Sequence, residues 1–219
     1  MLNDLTTMQQ IAVLALPMLF AITVHEAAHG WVAKRLGDST ASMLGRVTFN
    51  PLKHIDPIGT ILVPLLMYFF SGFLFGWAKP VPVDWRNLGN PRRDMALVAL
   101  AGPMANLFMA IFWAVMLKIG VSLDSSMAWL ALPLYYMGSI GIIINSILMV
   151  LNLLPILPLD GGRILTSLLP PRLAMSYAKL EPWGLVIVIG LLVSGLLGTI
   201  LTPGINLVQS LSAALVGLN

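Results

Sequence analysis

The sequence predicts an all-α polytopic integral membrane protein with about five to six membrane segments. Hydrophobic residues make up 58% of its 219 residues, charged residues make up only 10%, and the mean hydropathy is +0.90. Soluble domains carry roughly 25% charged residues, so this chain lacks the polar side chains that a water-facing surface requires. Several apolar runs also approach or exceed the roughly 20 residues that span a bilayer.

The apolar segments follow one another along the chain. The first covers residues 7–36 and ends in two cationic residues and a glycine, which are typical of a helix C-terminus. The other segments are residues 57–77, 95–119, 129–160 and 183–201. A shorter, weakly amphipathic tail begins at Pro203. No stretch is long enough for a separate soluble domain, so residues 1–219 are predicted to form a single membrane-embedded domain.

The positive charges predict how the chain is oriented. If segment 57–77 crosses the bilayer once, the Lys and Arg residues divide seven to five between the two sides. If this segment is re-entrant, eleven lie on one side and Lys118 alone lies on the other. Lys and Arg concentrate on the cytosolic side of membrane proteins. The sequence therefore predicts a re-entrant segment near 57–77 in a multi-pass protein. The expected location is a prokaryotic cytoplasmic membrane.

A polar stretch between the first two segments predicts a short surface element. Residues 46–50 alternate in the manner of a strand, which favours a β element at the membrane surface near residues 42–50. The exposed edge of such an element could hold an extended peptide. An ordinary connecting turn is an equally good interpretation.

The stretch HEAAH, residues 25–29, lies inside the first apolar segment and matches the pattern H-E-x-x-H. Side chains four residues apart share one face of a helix, so His25 and His29 can bind one metal ion. Glu26 can then take a proton from a metal-bound water, whose pKa zinc lowers to about 7. Two histidines and a glutamate in a polar cavity are the alternative, but ionisable residues within a membrane are costly and mark functional sites. The sequence therefore predicts a metal centre.

Two histidines leave such a centre short of a third protein ligand. Cysteine is absent, which excludes thiolate ligands. Asp160, in NLLPILPLDGG, is the best candidate because it ends an apolar run and precedes two glycines that allow close backbone approach. An aspartate in a turn is the alternative. His29 and Asp160 both lie near charged loops, and a re-entrant segment 57–77 places these loops on the same side.

HEAAH followed by NLLPILPLDGG resembles the paired signatures HExxH and NxxPxxxLDG of the site-2 protease family of intramembrane zinc metalloproteases. AGPMAN also matches a family pattern, G-P-x-x-N. The resemblance implies a short family member, without a PDZ or CBS domain, that hydrolyses membrane-embedded segments of proteins, often in regulated intramembrane proteolysis. It also implies roles for five residues. His25, His29 and Asp160 would be zinc ligands, Glu26 the catalytic base, and Asn152 a neighbour of the zinc that orients substrate or stabilises an oxyanion.

Two further polar residues are predicted to support the site or to contact substrate. They are Asn106, in AGPMAN, and His54, in the loop NPLKHIDP, which could equally be a surface residue. Gly190, Ser194 and Gly198 fall four apart and favour helix packing, either within the monomer or in a homo-oligomer.

The predicted partners are a transmembrane protein substrate and the lipid bilayer. Nucleic acid is excluded because no basic patch with interleaved aromatic residues is present.

Two other functions remain open for the same residues. A membrane metal-ion transporter could use the histidines and carboxylates as a transit site, although the other apolar segments lack charged residues that would continue a polar path. A protein that binds membrane substrates without cutting them would have no need of the complete set of His25, Glu26, His29 and Asp160.

Overall fold

The structure, a computed structural model, describes residues 6–63, 66, 76 and 78–218. These residues form eight α-helices and no strand. The helices are α1 (Thr7–Arg35), α2 (Thr40–Met43), α3 (Pro91–Ser122), α4 (Ala128–Asn152), α5 (Asp160–Leu168), α6 (Pro171–Ala178), α7 (Glu181–Val193) and α8 (Leu196–Val216). Short helical turns cover Pro51–His54, Pro57–Leu62, Trp85–Asn87 and Ser125–Met127.

Four helices, α1, α3, α4 and α8, are long and apolar enough to cross a membrane. Helices α6 and α7 meet at 62° and add a fifth crossing if they form one broken span. The prediction of an all-α, multi-pass integral membrane protein is confirmed. The first predicted segment agrees with α1, which begins at a capping box between Thr6 and Gln9 and ends with Lys34 and Arg35 near the negative end of the helix dipole.

Helices α3 and α4 form a close antiparallel pair at the centre of the fold. Their contact depends on small residues, because a Cβ atom at Gly138 would lie 2.7 Å from the backbone of Leu117, and one at Gly120 would lie 2.8 Å from the nitrogen of Tyr135. Small residues let two membrane helices approach until their backbones touch. Polar groups on the two helices can therefore bond directly to each other.

The C-terminal boundaries differ from the prediction. The apolar run 183–201 is divided at Gly195, whose φ of 75° ends the helical path, and α8 continues to Val216 through Pro203. Glycine adopts a positive φ at little cost, whereas hydropathy does not register such a break. Gly190 and Gly198 consequently belong to different helices, and an added Cβ at either would meet no described atom within 4 Å. The packing face predicted within the monomer is therefore not formed by the described residues.

The predicted β element near residues 42–50 is not confirmed, and the alternative of a connecting turn agrees with the structure. Helix α2 ends at Met43, Gly45 turns the chain with a φ of 63°, and Asn50 caps a helical turn. The guanidinium of Arg46 donates hydrogen bonds to the carbonyl oxygens of Lys79 and Pro80, at 2.8 and 3.3 Å. Side-chain bonds thus replace the backbone ladder that a strand requires.

Most of the predicted re-entrant segment, 57–77, lies outside the described residues. Its two flanks are described and lie together, because the backbone N–H of Lys79 donates a hydrogen bond to the carbonyl oxygen of His54, at 2.9 Å. The chain after the segment therefore lies beside the chain before it.

Candidate metal centre

The three predicted ligands meet at the contact between α1 and the start of α5. His25 and His29 follow each other on one face of α1, with their Nε2 atoms 3.0 Å apart. Asp160 places Oδ2 3.3 Å from Nε2 of His25, and Oδ1 3.4 Å from Nε2 of His29. All three residues are buried, and one ligand atom from each lies within 4.8 Å of the others.

The position of Asp160 follows from the sequence that surrounds it. Two prolines within residues 153–159 prevent α4 from continuing, and Asp160 opens α5, where a negative charge suits the helix dipole. A Cβ at Gly161 would overlap the carbonyl oxygen of Leu153, and one at Gly162 would lie 2.5 Å from a backbone nitrogen. Only glycine permits this compact turn, which brings the carboxylate back towards α1.

Helix α3 supports the two histidines through three positions spaced four apart. The carbonyl oxygen of Val98 bonds to Nδ1 of His29 at 2.7 Å, and Oδ1 of Asn106 bonds to Nδ1 of His25 at 2.6 Å. Gly102 lies between them, and a Cβ there would overlap Nε2 of His29 and lie 2.6 Å from Nε2 of His25. Helix α3 therefore approaches α1 closely at Gly102, where the absence of a side chain leaves room for the two imidazole rings.

The donor atoms fit a metal ion. A carbonyl oxygen only accepts hydrogen bonds, so His29 carries a proton on Nδ1, and its neutral ring presents a lone pair at Nε2. Oδ2 of Asp160 is buried and has no hydrogen-bond partner among the described residues. The lone pairs of neutral imidazole nitrogens and the negative carboxylate oxygens repel one another at these distances unless a cation lies among them. Nitrogen and oxygen ligands in this number are those that catalytic zinc sites use.

Glu26 lies next to the first ligand but outside the ligand group. Its Oε2 accepts a hydrogen bond from the backbone N–H of Val81, at 2.7 Å. Val81 is buried and follows the two residues whose carbonyl oxygens bond to Arg46. The carboxylate of Glu26 is therefore held by a segment that comes from outside the helix bundle.

The other predicted site residues bond to backbone carbonyls. His54 is buried, and its Nε2 lies 3.1 Å from the carbonyl oxygen of Thr48. Asn152 is the last residue of α4, and its amide donates to the carbonyl oxygen of Leu148 at 3.0 Å. Asn106 is fully buried behind His25. The structure thus brings Asn106 to the ligand group, while the predicted roles of His54 and Asn152 stay predictions.

Sequence reasoning missed Asn145, on α4. This residue is fully buried, and its Oδ1 accepts a hydrogen bond from the amide of Asn106 at 3.0 Å. The signal that could have revealed it is a lone amide side chain in the interior of an apolar run, which is costly unless a partner satisfies it. The backbone groups of Val81 and Val98 carry no such signal, because every residue except proline has both.

The chain is similar to several curated proteins. "Putative zinc metalloprotease YwhC" from Bacillus subtilis is 38% identical over 195 residues, which cover 88% of this chain and 85% of the relative. "Putative zinc metalloprotease Rip2" from Mycolicibacterium smegmatis is 31% identical over 189 residues, which cover 86% of this chain and 66% of the relative. The protein of the same name from Mycobacterium tuberculosis is 27% identical over 168 residues, or 77% of this chain and 61% of the relative.

A family description also matches part of the chain. Peptidase family M50 matches residues 119–195, which contain α4, α5 and the candidate ligand Asp160. No solved structure gives a significant match. A relative that shares 38% of residues along most of both chains agrees with this assignment and with the paired signatures. The chain therefore belongs to peptidase family M50, the site-2 protease family of zinc metalloproteases.

Proposed function

We propose that this protein is an endopeptidase that cuts peptide bonds within or near the transmembrane segments of other membrane proteins. The observation that carries the proposal is the position of the candidate ligands. His25 and His29 lie on α1, which is long and apolar enough to span a bilayer, and Asp160 meets them in the protein interior. A peptide bond hydrolysed at this group has to come from a segment that the membrane or its surface can admit.

The residues of this chain divide the chemistry among themselves. His25, His29 and Asp160 would hold the zinc ion, which supplies a Lewis acid that lowers the pKa of water towards about 7 and polarises a carbonyl. Glu26 would take the proton of the attacking water and deliver it to the leaving amine. Because the N–H of Val81 holds Oε2, we assign the proton transfer to Oε1.

We propose supporting roles for three other residues. Asn106 would orient the ring of His25 rather than contact substrate, since it is fully buried behind that ring. The amide of Asn152 would stabilise developing negative charge once it turns away from the carbonyl of Leu148. His54 would contact substrate or gate its path from the loop that precedes segment 57–77.

We further propose that residues 1–219 act as one domain in a prokaryotic cytoplasmic membrane, with the site near the cytosolic face. His29 lies five residues before Lys34, or about 8 Å along the helix axis. The contact between His54 and Lys79 supports a re-entrant segment, because a segment that crossed the bilayer once would separate its flanks. In this setting, cleavage would serve regulated proteolysis that releases a cytosolic factor.

The proposal is tested by co-expressing the full chain with candidate single-span membrane proteins. We expect wild-type protein to cleave a subset of them, and Glu26→Gln to abolish cleavage while zinc stays bound. Persistence of cleavage in the zinc-loaded variant would refute the protease assignment. Metal flux that survives Glu26→Gln but is lost in His25→Ala would instead indicate a transporter.

A further inference from the structure

A chain of buried hydrogen bonds runs from the metal centre into α4. Nδ1 of His25 bonds to Oδ1 of Asn106 at 2.6 Å, and Nδ2 of Asn106 donates to Oδ1 of Asn145 at 3.0 Å. Nδ2 of Asn145 in turn donates to the carbonyl oxygen of Gly141 at 2.8 Å. Asn106 and Asn145 are both fully buried, so water does not supply alternative partners.

Backbone carbonyls determine how both amides are oriented. The carbonyl oxygen of Gly141 accepts hydrogen bonds only, so the nitrogen of Asn145 has to face it, and the oxygen of Asn145 then faces Asn106. That oxygen requires the nitrogen of Asn106, which also donates to the carbonyl oxygen of Ala21 at 3.3 Å. The oxygen of Asn106 is left for His25. Reversal of Asn106 would set oxygen against oxygen at two contacts.

This orientation decides which nitrogen of His25 carries the proton. An oxygen at 2.6 Å from Nδ1 requires a proton on Nδ1, and Nε2 then presents its lone pair towards Asp160. His29 has the same arrangement, but its partner is the carbonyl of Val98, which cannot reverse. The amide of Asn106, in contrast, can rotate by about 180°. The partner of His25 therefore needs further hydrogen bonds to fix its orientation, whereas the partner of His29 does not.

We propose that Asn145 is a positioning residue of the metal centre. It locks the amide of Asn106 and thereby holds His25 in the tautomer that offers Nε2 to the metal. The inference rests on the proposed function only in taking His25 as a zinc ligand. Replacing the hydrogen-bond partner of a metal-bound histidine typically lowers metal affinity about 10–100-fold, and Asn145 acts on His25 through that partner.

The test compares Asn145→Leu with Ser146→Ala in the zinc-loaded full chain in detergent micelles. Leucine has the same branched shape and the same number of side-chain heavy atoms, and it removes the acceptor for Asn106. Ser146 is a matched control because it is the next residue, is also fully buried, and donates a hydrogen bond within its own helix, to the carbonyl oxygen of Ile142. We expect zinc affinity, measured by chelator competition, to fall about 10–100-fold in Asn145→Leu and by much less in Ser146→Ala.

Histidine ¹⁵N NMR adds a readout that a general structural role would not move. The chain has only three histidines, which keeps the spectrum simple. In Asn145→Leu we expect the Nδ1–H signal of His25 to shift and exchange faster, while that of His29 stays unchanged because a carbonyl holds it. Equal shifts at both histidines, or an unchanged His25 signal, would overturn the proposal.

A second variant distinguishes the proposed role of Asn145 from a general loss of folding. Asn145→Asp, protonated in this buried position, keeps one oxygen towards Asn106 and one donor towards Gly141, so we expect it to recover most of the zinc affinity. Equal zinc affinities in Asn145→Leu and Ser146→Ala would refute the role of Asn145. Absence of cleavage by zinc-loaded wild-type protein would count against the protease assignment but not against the role of Asn145 in zinc binding.

Discussion

The carboxylate of Glu26 accepts a hydrogen bond from the backbone N–H of Val81, at 2.7 Å. The two residues belong to distant parts of the sequence, and Val81 follows the segment whose flanks meet at His54 and Lys79. The group that we assign as the general base is therefore oriented by the loop that borders the site. Hydrogen bonds to a charged acceptor contribute about 1.5–3 kcal/mol, which is enough to select one orientation of the carboxylate.

This contact predicts different effects for two substitutions at one position. Val81→Pro removes the N–H, so we expect cleavage to fall about tenfold or more while zinc content stays unchanged. Val81→Ala keeps the donor and should retain most of the activity. Cleavage assays on purified protein, with zinc measured in the same samples, make the comparison. Equal losses in both variants would show that the side chain matters rather than the donor.

Gly102 is predicted to be essential for metal binding. A methyl group at this position would overlap Nε2 of His29, the nitrogen proposed to bind zinc, so we expect Gly102→Ala to lower zinc affinity about 100-fold or more. Gly190→Ala is the matched control, because an added Cβ there meets no described atom within 4 Å. Chelator competition measures both affinities. Zinc binding by Gly102→Ala at wild-type strength would contradict the assigned position of the metal.

Removal of the metal is predicted to destabilise the fold. An ion that binds the folded chain stabilises it by about 2.7 kcal/mol when its free concentration is 100 times Kd. Addition of EDTA should therefore lower the Tm of wild-type protein in micelles and leave the Tm of Asp160→Ala unchanged. Circular dichroism during heating records both transitions. A chelator effect of equal size on the two proteins would mean that the stabilising ion binds elsewhere.

Topology can be tested with single cysteines, because the chain has none. Asn50 is exposed, and the side chain of Arg86 is 89% exposed, so thiols at these positions are accessible to reagents. A membrane-impermeant maleimide should label Asn50→Cys and Arg86→Cys from the same side, and Ser126→Cys from the opposite side. Labelling of positions 50 and 86 from opposite sides would disprove the re-entrant arrangement.

Asp38 predicts a pH dependence of stability. Burial raises the pKa of its carboxyl, but hydrogen bonds from Thr40, Asn87 and the backbone of Asp84 outweigh burial and hold that pKa below its ordinary value. A depressed pKa stabilises the fold above the unfolded-state value, and this stability is lost as pH falls through the folded-state value. We expect wild-type stability to decline below about pH 4, and to decline less steeply in Asp38→Asn. Equal acid dependence in thermal unfolding would contradict this.

The three candidate ligands could be identified from the sequence because burying an ionisable side chain in a membrane costs free energy. His25 and His29 share a helical face by spacing alone, and Asp160 is marked by the glycines that follow it. The carbonyl of Val98 and the N–H of Val81 could not be predicted, because backbone groups leave no trace in a sequence. Their roles depend on which helices approach each other, and tertiary packing decides that.

Helix positions could be predicted where hydropathy alone determines them. They were harder to predict where the backbone conformation of a single residue determines where a helix ends. The apolar run 183–201 reads as one span, but Gly195 adopts a positive φ and divides it. Alternation at residues 46–50 suggests a strand, but the guanidinium of Arg46 bonds to carbonyl groups across the loop instead. Alternation describes only which side chains share a face, whereas a strand also needs a partner for its backbone.

The ligand group joins two parts of the chain that are distant in sequence, and this limits how the protein can open. A metal ion held by His25, His29 and Asp160 would cross-link α1 to the first turn of α5. Separation of these two helices would break the centre before a substrate could react. A substrate segment must therefore reach the metal without separating α1 from α5. Any conformational change that admits the substrate has to involve other helices or loops.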